Sequence, residues 1–131
     1  MTPKEKQVHD LERYHQVMAL SNFQICQYMA DIEGLQTYTH SGEVRVQVIS
    51  GGDYDFNPLI DNNLCFALME KYEVVRTYEA YDFIGWNYHV LDGANPIVIT
   101  ERQDFEGNDA PPISMNKAVC LAIILNAKTA Y

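Results

Sequence analysis

Ala118-Val119-Cys120-Leu121-Ala122-Ile123-Ile124-Leu125 is the longest uninterrupted apolar run in the chain. It is far shorter than the ~18 or more residues that cross a bilayer, so no transmembrane helix is read from it. It falls inside a helix predicted from about Ser114 to Lys128, and for two turns that helix has no polar face to give to water. Such a helix must be covered on several sides. Packing between a sheet and other helices is the first reading, and a homodimer or a partner contact is the alternative.

Upstream of that helix, Glu73 to Tyr78, Ile84 to Val90 and Pro96 to Glu101 read as strands. The last two join across Leu91-Asp92-Gly93-Ala94-Asn95, and connections this short favour an antiparallel meander. Asp104 to Pro112 holds three acids, a glycine and two prolines, and reads as a loop. Val44-Arg45-Val46-Gln47-Val48 alternates with period two, as a half-buried strand does, and Ser50-Gly51-Gly52 stops it. Gln36 to Gly42 is read as a loop before it. After it, Asn57-Pro58 is the expected cap of a helix reaching Lys71, with Ile60, Leu64, Ala67 and Leu68 on its core face and Phe66 and Met69 on the other.

Two helix starts are written near the N-terminus. In Leu20-Ser21-Asn22-Phe23-Gln24-Ile25, Ser21 and Gln24 have capping-box spacing and Leu20 and Ile25 can form a hydrophobic staple. That helix should bury Ile25, Met29 and Ile32 and end at Gly34 in a left-handed conformation. In Thr2-Pro3-Lys4-Glu5, Thr2 caps and Pro3 takes the first helical position, after which Val8, Leu11, His15 and Met18 share a face. The order is therefore α-α-β-α-β-β-β-α, an α+β chain with a small antiparallel β-sheet packed against helices. Residues 1–20 are read as an amphipathic helical extension and 21–131 as a single domain.

The chain has 131 residues, 47% hydrophobic and 21% charged, with nine Lys+Arg against eighteen Asp+Glu and a formal charge of −9. In residues 1–20, Lys4, Lys6 and Arg13 cancel Glu5, Asp10 and Glu12, so the whole surplus lies in 21–131. A surface of that sign repels nucleic-acid phosphate and anionic membrane. No direct nucleic-acid or membrane partner is expected, and the complementary partner is a protein with a basic surface. The N-terminus has no apolar h-region, so the expected compartment is cytosolic. Cys26, Cys65 and Cys120 are widely spaced among apolar neighbours and are read as buried free thiols rather than disulfides or zinc ligands.

Motifs for chemistry are sparse. Asp53-Tyr54-Asp55-Phe56-Asn57 alternates oxygen side chains like the first half of a calcium loop, but Pro58 stands where that loop needs glycine and Leu64 where it needs a bidentate glutamate. No metal and no cofactor is read. His9, His15, His40 and His89 lack ligand spacing, Gly51-Gly52 is followed by acids that would repel phosphate, and no nucleophile elbow occurs. No catalytic residue is assigned, and the enzyme question leans to no.

Aromatic usage stands out: nine tyrosines, several beside acids. Tyrosine gives large contact area at low entropy cost, and acids around it steer toward a basic surface. The candidate partner-binding residues are Asp53, Tyr54, Asp55, Phe56, Asp61, Glu79, Tyr81, Asp82, Asp104, Glu106 and Asp109. Tyr54 and Tyr81 read as exposed, whereas Tyr78, Trp86 and Tyr88 read as strand residues packing the core.

Leu20-Ser21-Asn22-Phe23-Gln24-Ile25, Phe56-Asn57-Pro58-Leu59 before an apolar helix, Lys71-Tyr72-Glu73-Val74 at a strand start, and Asn116-Lys117-Ala118-Val119 opening an alanine-rich helix resemble the NinX-like small bacteriophage proteins over residues 21–131. The resemblance implies a phage accessory protein in a bacterial cytoplasm and carries no catalytic residues. The leading expectation is a non-enzymatic inhibitor of a host factor, anti-CRISPR-like, occupying a basic nucleic-acid-binding surface. One alternative is a small enzyme or nucleotide-binding protein with a dispersed site such as His89, Asp82, Glu79 and Tyr88. Another is an assembly protein that self-associates through its last helix.

Overall fold

A computed structural model describes residues 2–79, 84–91, 99–103 and 113–127. The elements are α1 (Pro3–Met18), α2 (Asn22–Ile32), β1 (Thr37–His40), β2 (Glu43–Val46), β3 (Tyr54–Asp55), α3 (Asn62–Lys71), β4 (Val74–Glu79), β5 (Ile84–Val90), β6 (Ile99–Gln103) and α4 (Met115–Asn126). The fold is α+β. Its strands divide into two antiparallel sheets, β1-β2-β3 and β4-β5-β6, where the sequence suggested one.

α4 is the centre of the molecule. Ser114 caps it by accepting a hydrogen bond from the Lys117 amide (3.2 Å), and every residue from Ala118 to Leu125 is buried. It packs against α1, α2, α3 and all three strands of the second sheet. Covering on several sides is thus achieved within one chain for the stretch from Ala118 to Leu125. Near its start the buried Asn116 donates to Leu59 O (3.2 Å) and Asn62 Oδ1 (2.9 Å), which fixes the entry to α3 against it.

The helix starts follow their sequence signals. Ser21 Oγ accepts from the Gln24 amide (3.2 Å) while Gln24 Oε1 accepts from the Ser21 amide (2.9 Å), a complete capping box. Ile25 and Met29 are buried and Ile32 packs at the core's margin. Gly34 (φ 72°) leaves α2 in the left-handed conformation. In α1 the Thr2 hydroxyl accepts from the Glu5 amide (3.1 Å). The docked face of α1 is Tyr14, Val17 and Met18, however, and Val8 and Leu11 remain exposed.

α3 starts later than expected. Asn57 Oδ1 accepts from the Leu59 amide (3.1 Å) in a local turn, and Asp61 supplies the cap, accepting from the Leu64 amide (3.1 Å). Ile60 therefore precedes the helix and is 78% exposed, and the buried face is Cys65 and Leu68 with Leu64 at its edge. At the far end, Glu33 after α2 takes both the Lys71 ammonium (2.6 Å) and the Tyr72 hydroxyl (2.5 Å), tying the two helix ends together.

The segment read as a loop before Val44 contains β1. Ser41 (φ 51°) and Gly42 (φ 76°) form a two-residue turn with both residues at positive φ, the geometry of a tight hairpin. It pairs Tyr38 with Arg45 and His40 with Glu43. In the second sheet β4-β5-β6 is the expected meander, with Arg76 opposite Tyr88 and Tyr78 opposite Trp86. Tyr88 is core, Trp86 is half-buried under the Arg76 guanidinium (3.8 Å to the ring centre), and Tyr78 is exposed rather than core, its ring edge-on to Trp86. The 104–112 segment, the 92–98 connection and the end of the last predicted helix lie outside the described residues.

Candidate partner-binding site

Side chains alternate across a strand. Val44 and Val46 of β2 are buried, so Glu43 and Arg45 face outward; the register sets Tyr38 and His40 of β1 and Asp55 of β3 on the same outer face. Four of the outer side chains are joined. Arg45 donates to the Tyr38 hydroxyl (3.3 Å), to Asp55 Oδ1 (2.6 Å) and to the Asp53 carbonyl (2.8 Å). The Tyr38 hydroxyl donates to Asp53 Oδ2 (2.7 Å), and Asp53 Oδ1 accepts from the Val48 amide (3.1 Å). The result is a surface network whose members hold one another in place.

Its electrostatics follow from those bonds. The hydrogen bond from Tyr38, then the one from the Val48 amide, stabilises the Asp53 carboxylate, and its pKa lies below the usual aspartate value. A group with a depressed folded pKa contributes stability above its unfolded pKa, about 4, and that contribution is lost as pH falls through the folded value. Urea unfolding midpoints measured from pH 6 downward are therefore expected to fall more steeply below about pH 4 for the native chain than for Asp53→Asn. Parallel curves would contradict the network.

Beside this face, α2's amino end, the start of β2 and the end of β3 enclose a cleft of about 190 Å³. Cys26, Val44 and Phe56 are its buried floor, Phe23 and Ile60 its exposed walls, and Glu43 and Asp55 its rim. Asn57 closes one side, its Oδ1 also accepting from the Cys26 thiol (3.3 Å).

The eleven candidate residues now separate. Asp53 and Asp55 belong to the outer network, whereas Tyr54, though 46% exposed, pairs with the buried Val46 and so lies on the other face of the sheet. Phe56 is 2% exposed and cannot be a surface contact: Val46 opposes Tyr54, so Phe56, two residues on, turns inward onto the core. Asp61 is engaged as the α3 cap. Glu79 ends β4 opposite Gly85, and nothing is described of its side chain. Tyr81, Asp82, Asp104, Glu106 and Asp109 lie outside the described residues. Tyr38 and Arg45 were missed as site members. The period-two pattern already placed Arg45 outward between two valines, and the Ser41-Gly42 turn would have placed Tyr38 opposite it.

The calcium-like spacing does not make a metal site. Asp53, Asp55 and Asn57 are bound to separate protein partners, and among the described residues no group of His, Cys, Asp and Glu is arranged to hold a metal ion. For the dispersed enzyme site, Tyr88 and His89 are neighbours on β5 and point to opposite faces, Tyr88 into the core.

The three cysteines are free and buried. Burial pushes the thiols of Cys26 and Cys65 up to about 11 and that of Cys120 higher still, with charge on the other two adding to the effect there. At pH 8 a thiol of that pKa is about one part in a thousand thiolate, the reactive form. The native protein is expected to resist Ellman's reagent at pH 8 and to release three thiol equivalents once denatured. Rapid stoichiometric reaction of the native protein would contradict the burial.

Comparison of the chain with known protein families, with curated proteins and with solved structures finds no match to any of them.

Proposed function

We propose that this is a non-enzymatic binding protein that sets the outer face of its first sheet against a basic, nucleic-acid-binding surface of a host protein and inhibits it. The observation that carries the reading is the Tyr38–Asp53–Arg45–Asp55 network on a chain of net charge −9. A fixed network loses little entropy on docking, tyrosines supply contact area, and the surrounding charge steers association with a cationic surface. A phage accessory protein acting against a host defence complex, as anti-CRISPR proteins do, is the setting in which such a surface is useful.

The test is capture from bacterial lysate on the immobilised protein at about 0.05 M and about 1 M salt, with and without competing duplex DNA. One stoichiometric protein partner is expected at low salt, released by high salt and by DNA, and weakened by Asp53→Asn combined with Tyr38→Ala. Absence of a stoichiometric partner, or a partner indifferent to salt and to DNA, would overturn the reading.

A further inference from the structure

β1 is an edge strand of the first sheet, and among the described elements its substantial packing is on β2 alone. The Gln47 amide donates to the Gln36 carbonyl (2.8 Å), so Gln36–Gln47 is a hydrogen-bonded pair; by the alternation of an antiparallel ladder, Tyr38–Arg45 and His40–Glu43 are hydrogen-bonded pairs as well. The amides and carbonyls of Thr37 and Thr39 therefore point away from β2, and no described residue meets them. Thr39 and His40 are exposed, so the edge is open to water. Natural edges are blunted by lysine, proline or a bulge. Thr37-Tyr38-Thr39-His40 has none of these and pairs with β2 in unbroken register.

Carboxylates flank this edge on both faces of the sheet. On the outer face the Tyr38 hydroxyl is bonded to Asp53 Oδ2 (2.7 Å). On the inner face Thr37 Oγ1 accepts from Gln27 Nε2 (3.1 Å), which also donates to Asp31 Oδ1 (3.1 Å), and Asp31 is exposed. Together with Glu43 opposite His40 and with Asp55, these acids outnumber the Arg45 guanidinium. An extended strand sends successive side chains to opposite faces. Two consecutive basic residues on a docked strand would thus reach both flanks, one toward Asp53 and one toward Asp31. A second copy of this chain fits worse, because it brings the same carboxylates and the same charge of −9 to the edge.

We propose that an extended segment of the protein partner, carrying consecutive basic residues, adds to β1 as a fourth strand of the three-stranded first sheet. Main-chain hydrogen bonds to Thr37 and Thr39 supply affinity, and the flanking carboxylates supply selectivity. The inference rests on the protein-binding reading above and gives it a binding mode.

It is tested by NMR titration of the labelled protein with acetyl-Thr-Val-Thr-Lys-Arg-Thr-Val-Thr-amide, with the same peptide carrying Glu-Glu in place of Lys-Arg, and with the Lys-Arg peptide N-methylated through its centre. The Lys-Arg peptide is expected to slow hydrogen exchange at the Thr37 and Thr39 amides and to leave Tyr38 and His40, already bonded to β2, unchanged. The Glu-Glu peptide should bind at least about tenfold more weakly, and the methylated one, which keeps the charge and loses the donors, at least about fivefold more weakly. Thr39→Pro removes a donor on the open side alone and should weaken binding by about fivefold; unchanged protection at Tyr38 and His40 shows that its hairpin is intact. No binding of the Lys-Arg peptide, binding that leaves Thr37 and Thr39 unprotected, or binding that survives N-methylation would overturn the edge pairing. Lysate capture separates the two readings. A partner held equally by the native chain and by Thr39→Pro removes the edge pairing and leaves the acidic-face reading, whereas a protected edge with no captured partner removes the inhibitor and leaves the edge as a site for basic strands.

Discussion

Leu121→Ala is expected to lower the unfolding free energy by about 3 kcal/mol, within the 2–5 kcal/mol observed when a buried leucine loses its side chain. Leu121 lies in the middle of α4, is fully buried, and belongs to a helix packed against every other helix and the second sheet. A site enclosed by several elements cannot collapse onto the space left behind, because relaxing toward one neighbour opens a gap at another. Lost transfer energy and a residual cavity then add. Domains of this kind are held by about 5–15 kcal/mol in all, so the melting temperature should fall by about 10 °C. Leu11→Ala, the same change on the exposed half of α1, should move stability by less than about 0.5 kcal/mol. Urea or thermal unfolding of the two variants checks both. Equal effects would mean that α4 is not the centre of the core.

The second large effect is expected at Arg13. Its Nη2 donates to the carbonyls of Ile124 (3.3 Å) and Ala127 (3.0 Å), at the end of α4. The Ile124 carbonyl also takes the Ala127 amide (3.2 Å), Ala127 itself lies past the last helical residue, and α4 ends on this extended residue (φ −67°, ψ 138°) rather than on a left-handed glycine. The guanidinium thus serves as the terminal cap, and its positive charge meets the negative end of the helix. Arg13→Met keeps the apolar stem and removes the bonds; it should cost about 2 kcal/mol, the scale of a hydrogen bond to a charged group. Hydrogen exchange should show α1 opening ahead of α2, because α1 keeps only Tyr14, Val17 and Met18 to hold it. Arg13→Lys should recover part of the loss, since the ammonium keeps the positive charge at the helix end on a shorter side chain. Unchanged exchange in α1 would show that the cap is dispensable.

What could be read from the sequence was local. The capping box at Ser21, the Thr2 cap, the left-handed Gly34 and the span Ile84 to Val90 each depend on residues within a turn or one strand, and the structure places them as expected. The apolar run in α4 also announced that it would be covered on several sides. What was hidden depends on distant partners. β1 (Thr37–His40) carries mostly exposed polar residues and β3 has two residues; both are strands because β2 pairs with them. The start of α3 was misplaced because two capping signals lie four residues apart and the first is spent on a turn. For the site, Asp53 and Asp55 could be picked out by their own chemistry, but Tyr54 and Phe56 beside them could not be told from residues of the same face without the strand's facing. The network needed Tyr38, which only the hairpin brings across from Arg45.

The central place of α4 also bears on how the molecule is made. Every other described element precedes α4 in the chain, and most of them pack onto it. Ribosomes extend chains at about 5–20 residues per second, so the stretch from α2 to α4 takes roughly 5–20 s. Through that interval Ile25, Met29 and Leu68 are synthesised but lack the surface that will bury them. The nascent chain is therefore a client for chaperones and proteases until residues 115–126 emerge, and a ribosome that stalls before them leaves a fragment without a core.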